Sequence, residues 1–153
     1  ELTAGWAVAP EIIQDPARKR GAFAAADVAL AASGTVSLEL AANGCPMVIA
    51  YDMHWFSWWL MQRAALIDTV TLVNLVSDSR VVPEFLGPAC KPDAIPPAIE
   101  ALLADHTAQR QAMALTMERL GKGGEAPGLR AAQSVLTSVL AALHRSRLPE
   151  PEA

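Results

Sequence analysis

The stretch from residue 29 to residue 51, ALAASGTVSLELAANGCPMVIAY, constrains the fold of this chain more than any other. An apolar run stops at Ser33-Gly34-Thr35, a helical pattern with a single carboxylate follows, and Gly44 and Pro46 lead into a second apolar run. Asp27 to Ala32 and Pro46 to Tyr51 read as strands, and their neighbours read as helical. Such strands belong in a parallel sheet covered on both faces. Thr35 to Asn43 reads as the connecting helix. Gly44 closes it, because glycine adopts the left-handed conformation at little steric cost.

The rest of the chain extends this pattern. Asp15-Pro16 predicts a helix running to about Ala25, since Pro is favoured at the first helical position. Trp6 to Ala9 reads as a short strand ended by Pro10. An aromatic helix is expected from Trp55 to Leu66, a β-branched third strand from Thr69 to Val73, and a short helix from Arg80 to Leu86 broken near Pro83. Asp93 is expected to cap a helix reaching about Ala104, with Pro96 and Pro97 tolerated where first-turn amides have no helical partner. Ile95, Ile99, Leu102 and Leu103 form its apolar stripe. Thr107 to Leu120, with Thr107 as cap, and Leu129 to Leu143 read as two further helices joined by a glycine-rich loop. The fold class expected is α/β: an open parallel sheet flanked by helices, with right-handed crossovers and a helical C-terminal third. One domain over residues 1–147 and a disordered tail over 148–153 are expected. The chain starts at Glu1 rather than Met and shows few strands before its helical third, which reads as a fragment lacking its N-terminal part.

With 153 residues, 52% hydrophobic and 18% charged, the chain can build a real core and is not disordered over most of its length. A net charge of -4 argues against nucleic acid as a partner, because a duplex calls for a basic face. No run approaches the roughly 20 apolar residues of a spanning helix, and no secretion signal is evident. Cys45 and Cys90 lack a C-x-x-C spacing and fit buried packing in a reducing compartment. No spacing of Cys, His, Asp and Glu suggests a metal, and no cofactor is expected.

Chemistry concentrates at the Ser33-Gly34-Thr35 turn. In open α/β sheets, ligands sit where the carboxyl ends of strands lead into helices. Small residues bring two hydroxyls and close backbone access, and the helix behind them presents free amides and a positive dipole end. That combination suits a phosphate or diphosphate. Glu39 fits no capping box with either Ser33 or Thr35, which would require a carboxylate three residues on. It lies four residues after Thr35, on the same helix face and roughly one turn away, a turn being about 5.4 Å. A carboxylate there can accept both hydroxyl hydrogens of a ribose. Two readings stay open on these residues alone: a nucleoside diphosphate site, and a tight strand-to-helix turn followed by a solvated Glu39.

The wider pattern carries a resemblance. ADVALAASGTVSLELAANGCPMVIAYDM, then WFSWWLMQRAALIDTVTLVNLVSDSRVVPEFLGPACKPDAI, and the closing GGEAPGLRAAQSVL closely resemble the C-terminal half of lipid-A-disaccharide synthase, over roughly residues 20 to 140. The resemblance implies the C-terminal, Rossmann-like domain of a two-domain GT-B glycosyltransferase, the domain that holds the nucleotide. It implies transfer of a diacylglucosamine from UDP to the 6-hydroxyl of a diacylglucosamine 1-phosphate, a lipid acceptor, at or near the inner membrane surface. Ser33, Gly34 and Thr35 would then meet the diphosphate and Glu39 the ribose. Asn74 and the segment from Arg80 to Glu84 would lie near the donor, with Arg80 offsetting charge as UDP leaves. The general base and acceptor site are expected in the missing N-terminal domain, and a homodimer is a reasonable expectation. The chain departs from the family pattern at Asp52, where a basic residue is usual, at Val73, which replaces a Pro, and at Ser77 to Arg80.

Other features allow more than one reading. Trp55, Trp58 and Trp59 share a helix face, with Phe56 to the side. They read either as core and inter-domain packing or as lipid or dimer contact. His54 either caps that helix or touches the donor, and Glu84 bonds either the nucleotide or Arg80. Another UDP-sugar transferase or epimerase domain, or a Rossmann-like association module without a ligand, are the alternatives for the whole chain.

Overall fold

The computed structural model describes residues 3–32, 34–64 and 67–145. Two compact units are distinguished, residues 1–117 and residues 118–153. In the first unit the elements run α1 (Pro16–Ala25), β1 (Ala29–Ala31), α2 (Val36–Ala42), β2 (Met47–Tyr51), α3 (Trp55–Ala64), α4 (Leu72–Ser77), β3 (Glu84–Leu86), a 3-10 turn (Gly87–Ala89), α5 (Ile95–Ala104) and α6 (Thr107–Arg119), whose last residues pass into the second unit. The three strands form a parallel sheet in the order β1-β2-β3. Ala29, Leu30 and Ala31 pair with Met47, Val48 and Ile49, and Ile49, Ala50 and Tyr51 with Glu84, Phe85 and Leu86.

β2 is the hub. Met47, Val48 and Ile49 are fully buried, as expected for a parallel strand covered on both faces. Met47 and Ile49 join Leu40 and Ala41 of α2, Val73 of α4, and Ala112 and Met113 of α6 in one core cluster. Burying each of the larger side chains among them, Met47, Ile49, Leu40, Val73 and Met113, contributes about 1.5–3 kcal/mol. On the opposite face α5 packs over β2, with Leu102 buried. Leu30 pairs with Val48 but is 54% exposed, so that face of the edge strand β1 is uncovered.

Two side-chain amides complete the sheet where backbone pairing stops. Gln109 of α6 accepts from the Met47 N–H at 2.5 Å and donates to the carbonyls of Met47 at 3.0 Å and Val81 at 3.2 Å. Asn74 of α4 accepts from the Val82 N–H at 2.9 Å and donates to the Val82 carbonyl at 2.9 Å. Buried peptide groups need such partners.

Several expected elements hold: α1, with Asp15 accepting from the amides of Ala17 and Arg18, the β1-α2-β2 unit, and Gly44 at φ +71°. Others are corrected. Trp6 to Ala9 is not a strand. The third strand is Glu84–Leu86 and not Thr69 to Val73, and the expected helix over Arg80 to Leu86 is absent. The β-branched run at 69–73 favours a strand locally, but the Glu84 carboxylate takes the amides of Val70 and Thr71 and starts α4 there. Pro83 sits at the entry of β3, where its carbonyl accepts from the Ile49 N–H and its missing N–H costs nothing. Ala94, not Asp93, occupies the cap position of α5. Asp105, not Thr107, supplies the capping oxygen of α6, accepting from the Thr107 amide at 2.9 Å.

In the second unit, α7 spans Pro127–Arg145, longer than the expected Leu129 to Leu143. Gly121 at φ +84° leaves the room that the Arg130 guanidinium fills as it donates to the Leu120 carbonyl. The end of the aromatic helix at Leu66 and the tail at 148–153 lie outside the described residues.

Candidate functional site

The carboxyl edge of the parallel sheet brings together the loops that leave β1 and β2. The register sets Ala31 beside Ile49, so the Gly34-Thr35 turn and the segment from Tyr51 to His54 leave neighbouring strands on the same side. Ser33 lies outside the described residues. Gly34 has φ +125° and open space where a Cβ would project. Backbone conformation, not crowding, therefore demands glycine here, and the turn stays accessible.

Thr35 precedes α2 in a helical conformation, and its side chain makes no capping bond. The amide of Ser37 donates to the Gly34 carbonyl at 3.2 Å, and those of Leu38 and Glu39 to the Thr35 carbonyl at 3.1 and 3.2 Å. The buried Ser37 hydroxyl also donates to the Gly34 carbonyl, at 2.8 Å. These bonds occupy the Gly34 and Thr35 carbonyls, and the Thr35 hydroxyl takes no part in capping α2.

Glu39 does not stand alone in solvent. Its Oε2 pairs with Lys19 Nζ of α1 at 2.6 Å. The pair borders a groove of about 420 Å³ between α1 and α2, lined by Pro16, Lys19, Arg20, Glu39, Ala42 and Asn43. Lys19 also sits over the Phe23 ring, 5.5 Å from its centroid. Arg20 makes no ion pair among the described residues. Neither cation was singled out from the sequence; the run PARKR announced positive charge but not which side chain faces α2.

Asn74, Glu84, Arg80 and His54 are occupied differently. Asn74 is 1% exposed and spends its amide on Val82 and on Glu84 Oε1 at 3.3 Å. Glu84 accepts from the Thr69 hydroxyl at 2.6 Å, the Thr71 amide at 2.8 Å and the Val70 amide at 3.3 Å. Burial works against its charge, yet the bonds from Thr69 and the backbone amides outweigh burial and hold the carboxyl below its usual range. Arg80 is bound to Asp68 and to the Ser79 carbonyl. Its guanidinium lowers the Asp68 pKa, chiefly through the hydrogen bond. His54 accepts from the Phe56 amide through Nδ1 at 3.4 Å, the capping role foreseen as one of its two options. Asp68 and Glu84 line a second cavity, about 310 Å³, with Trp58, Leu86, Pro88 and Ala89.

Along α3, Trp58 leans against Gly87, and Trp55, Phe56, Trp59 and Leu60 remain exposed. The rings form a chain: Trp55 meets Phe56 edge-on at 5.8 Å, Phe56 stacks on Trp59 at 6.0 Å, and Arg63 lies 4.3 Å from the Trp59 ring. Among the described residues no cluster of three or more His, Cys, Asp or Glu can hold a metal, and no helix is long and apolar enough to cross a membrane.

A family model described as lipid-A-disaccharide synthetase matches residues 10–136. The chain belongs to the lipid-A-disaccharide synthetase family. It is 60% identical over 144 residues to a lipid-A-disaccharide synthase of Ruegeria pomeroyi, covering 89% of this chain and 36% of that protein. Similar relatives of that name occur in Bradyrhizobium diazoefficiens, 40% identical over 142 residues with 91% of this chain and 36% of the relative covered, and in Paramagnetospirillum magneticum, 43% over 136 residues with 86% and 35% covered. The chain thus spans a little over a third of the length of these lipid-A-disaccharide synthases.

Proposed function

We propose that this chain is the nucleotide-sugar-binding part of a glycosyltransferase that builds the lipid A disaccharide. The observation that carries this reading is the 60% identity over 144 residues to a lipid-A-disaccharide synthase. In this reading a diacylglucosamine passes from UDP to the 6-hydroxyl of a diacylglucosamine 1-phosphate. The anomeric C–O bond to UDP breaks as the new glycosidic bond forms, and the acceptor hydroxyl yields its proton to a base assigned to the part of the relatives beyond this chain.

The diphosphate is assigned to the turn of Ser33, Gly34 and Thr35, where the Thr35 hydroxyl and the leading end of α2 meet negative charge. The ribose is assigned to Glu39, in the groove beside α1. Asn74, Glu84 and Arg80, held by backbone and Asp68, serve in this reading as the frame of the adjoining loop. The exposed rings of α3 suit the lipid side of the reaction, because Trp favours boundaries between apolar and polar surroundings.

Titration calorimetry with UDP, GDP and ADP tests the nucleotide assignment. UDP is expected to bind selectively, and Glu39→Ala to weaken it at least about tenfold, since hydrogen bonds to a charged group are worth roughly 1.5–3 kcal/mol each. Absence of UDP binding at millimolar concentration would remove the reading.

A further inference from the structure

α3 meets the body of its unit through Trp58, which leans on Gly87, and turns its other rings to solvent. Trp55, Phe56, Trp59 and Leu60 are between 43% and 70% exposed. At 3.6 residues per turn they fall within about 140° of one another around the helix, and Arg63 falls inside that arc. The Arg63 guanidinium lies against the Trp59 ring. No acidic residue occurs in sequence between Asp52 and Asp68, and Asp68 is paired with Arg80. In a chain of net charge -4, this face is therefore apolar with a single cation in it. It also begins at the sheet edge to which the nucleotide is assigned. β2 ends there at Tyr51, itself exposed, and α3 starts at Trp55.

We propose that this face of α3 docks on a lipid bilayer, with Trp55, Phe56, Trp59 and Leu60 in the boundary between headgroups and acyl chains and Arg63 on lipid phosphate. The docking rests on the glycosyltransferase reading above and names the surface that brings its site to its substrates. Two acyl chains keep each of those substrates in a bilayer, whereas one chain binds only reversibly. A site that joins their sugars has to work at that surface, and no helix among the described residues can cross it. The hydrogen-bonding chemistry of the face selects a bilayer over a folded partner. Within the arc the side-chain polar groups are the indole N–H groups and the guanidinium, which only donate. A layer of phosphate and ester oxygens only accepts, while a protein surface offers donors as well. Trp rings settle at such boundaries, and the Arg stem can lie along them while its charge reaches outward.

The test is co-sedimentation of the 153-residue chain with vesicles of phosphatidylcholine alone and of phosphatidylcholine mixed with phosphatidylglycerol. The wild type is expected to bind both, and the mixture more tightly. Trp55→Ser combined with Trp59→Ser is expected to weaken both at least about tenfold, less than the full burial of two rings would give. Its far-UV circular dichroism should not change, because both rings are exposed. Trp6→Ser removes an exposed ring outside α3 and is expected to have no effect. Arg63→Gln is expected to cancel the preference for the mixture. Lipids brominated near the headgroup should quench the tryptophan fluorescence of the wild type but not that of the double variant. Vesicle binding that survives the double variant, or that Trp6→Ser reduces as much, overturns the docking. Self-association of the wild type that the double variant loses, without vesicle binding, also overturns it and gives the rings to a second copy. UDP binding without vesicle attachment overturns the docking alone, and absence of both overturns it together with the nucleotide reading.

Discussion

Truncating Asn74 to Ala would show whether the clamp between α4 and the entry of β3 holds the fold. Asn74 is 1% and Val82 2% exposed, so the mutation strands the N–H and C=O of Val82 in a dry interior. Each was satisfied at 2.9 Å. A buried polar group left without a partner costs about 1–3 kcal/mol, so the pair is expected to cost about 2–6 kcal/mol. A water entering the vacated volume would bring the loss to the lower end. Domains have about 5–15 kcal/mol in total, so the variant should be visibly crippled. With a urea slope of about 1–3 kcal/mol/M, its midpoint should fall by at least about 0.7 M. Urea denaturation followed by far-UV circular dichroism reads this directly, with an unchanged slope as the check on two-state behaviour. Asn74→Asp keeps the acceptor for the Val82 amide but sets a second carboxylate beside Glu84. It is expected to be at least as damaging at neutral pH and to recover partly in acid. A loss below about 0.5 kcal/mol for Asn74→Ala would refute the clamp; full stability combined with lost UDP binding would return Asn74 to the ligand.

Two further outcomes follow from single residues. The folded Glu84 carboxyl titrates below its unfolded value of about 4.3. Its contribution is therefore complete above that pH and is lost as pH falls through the lower folded value. Urea midpoints from pH 6 to pH 3 should drop less steeply in Glu84→Gln than in the wild type, and parallel slopes would discard the assignment. Gly87 has φ +50°, and an added Cβ would lie 2.8 Å from Trp58 Cδ2. Gly87→Ala should cost the roughly 1–2 kcal/mol of a left-handed non-glycine residue and also displace Trp58, shifting its fluorescence. Gly123→Ala, at φ +87° with open space around it, should cost the backbone share only. Equal losses at the two sites would exclude the packing contribution.

The β1-α2-β2 unit was legible because its signals are local: an apolar run, a turn of small residues, a helix stop and a second run. The family relation was legible for the same reason, carried by contiguous motifs. The exchange of strand and helix between 69–73 and 80–86 was not, because the deciding atoms are distant in sequence. Glu84 reaches back to Thr69, Val70 and Thr71, and no property of the run TVTLV announces a carboxylate at its side. The spacing of Thr35 and Glu39 foretold a shared helix face, but not that Lys19 would already hold the carboxylate. His54 was legible as a helix cap because capping acts within two residues.

Gln109 mends the sheet at a place its own strands do not reach, and it does so from 62 residues further along the chain. During synthesis, Met47 and its neighbours are complete long before the residue that seals them leaves the ribosome. In that interval the strand offers raw hydrogen-bonding groups along an apolar margin, the kind of surface that recruits other chains into aggregates. A product cut short ahead of α6 would keep that margin permanently, so the helix acts as a late closure protecting the nascent polypeptide.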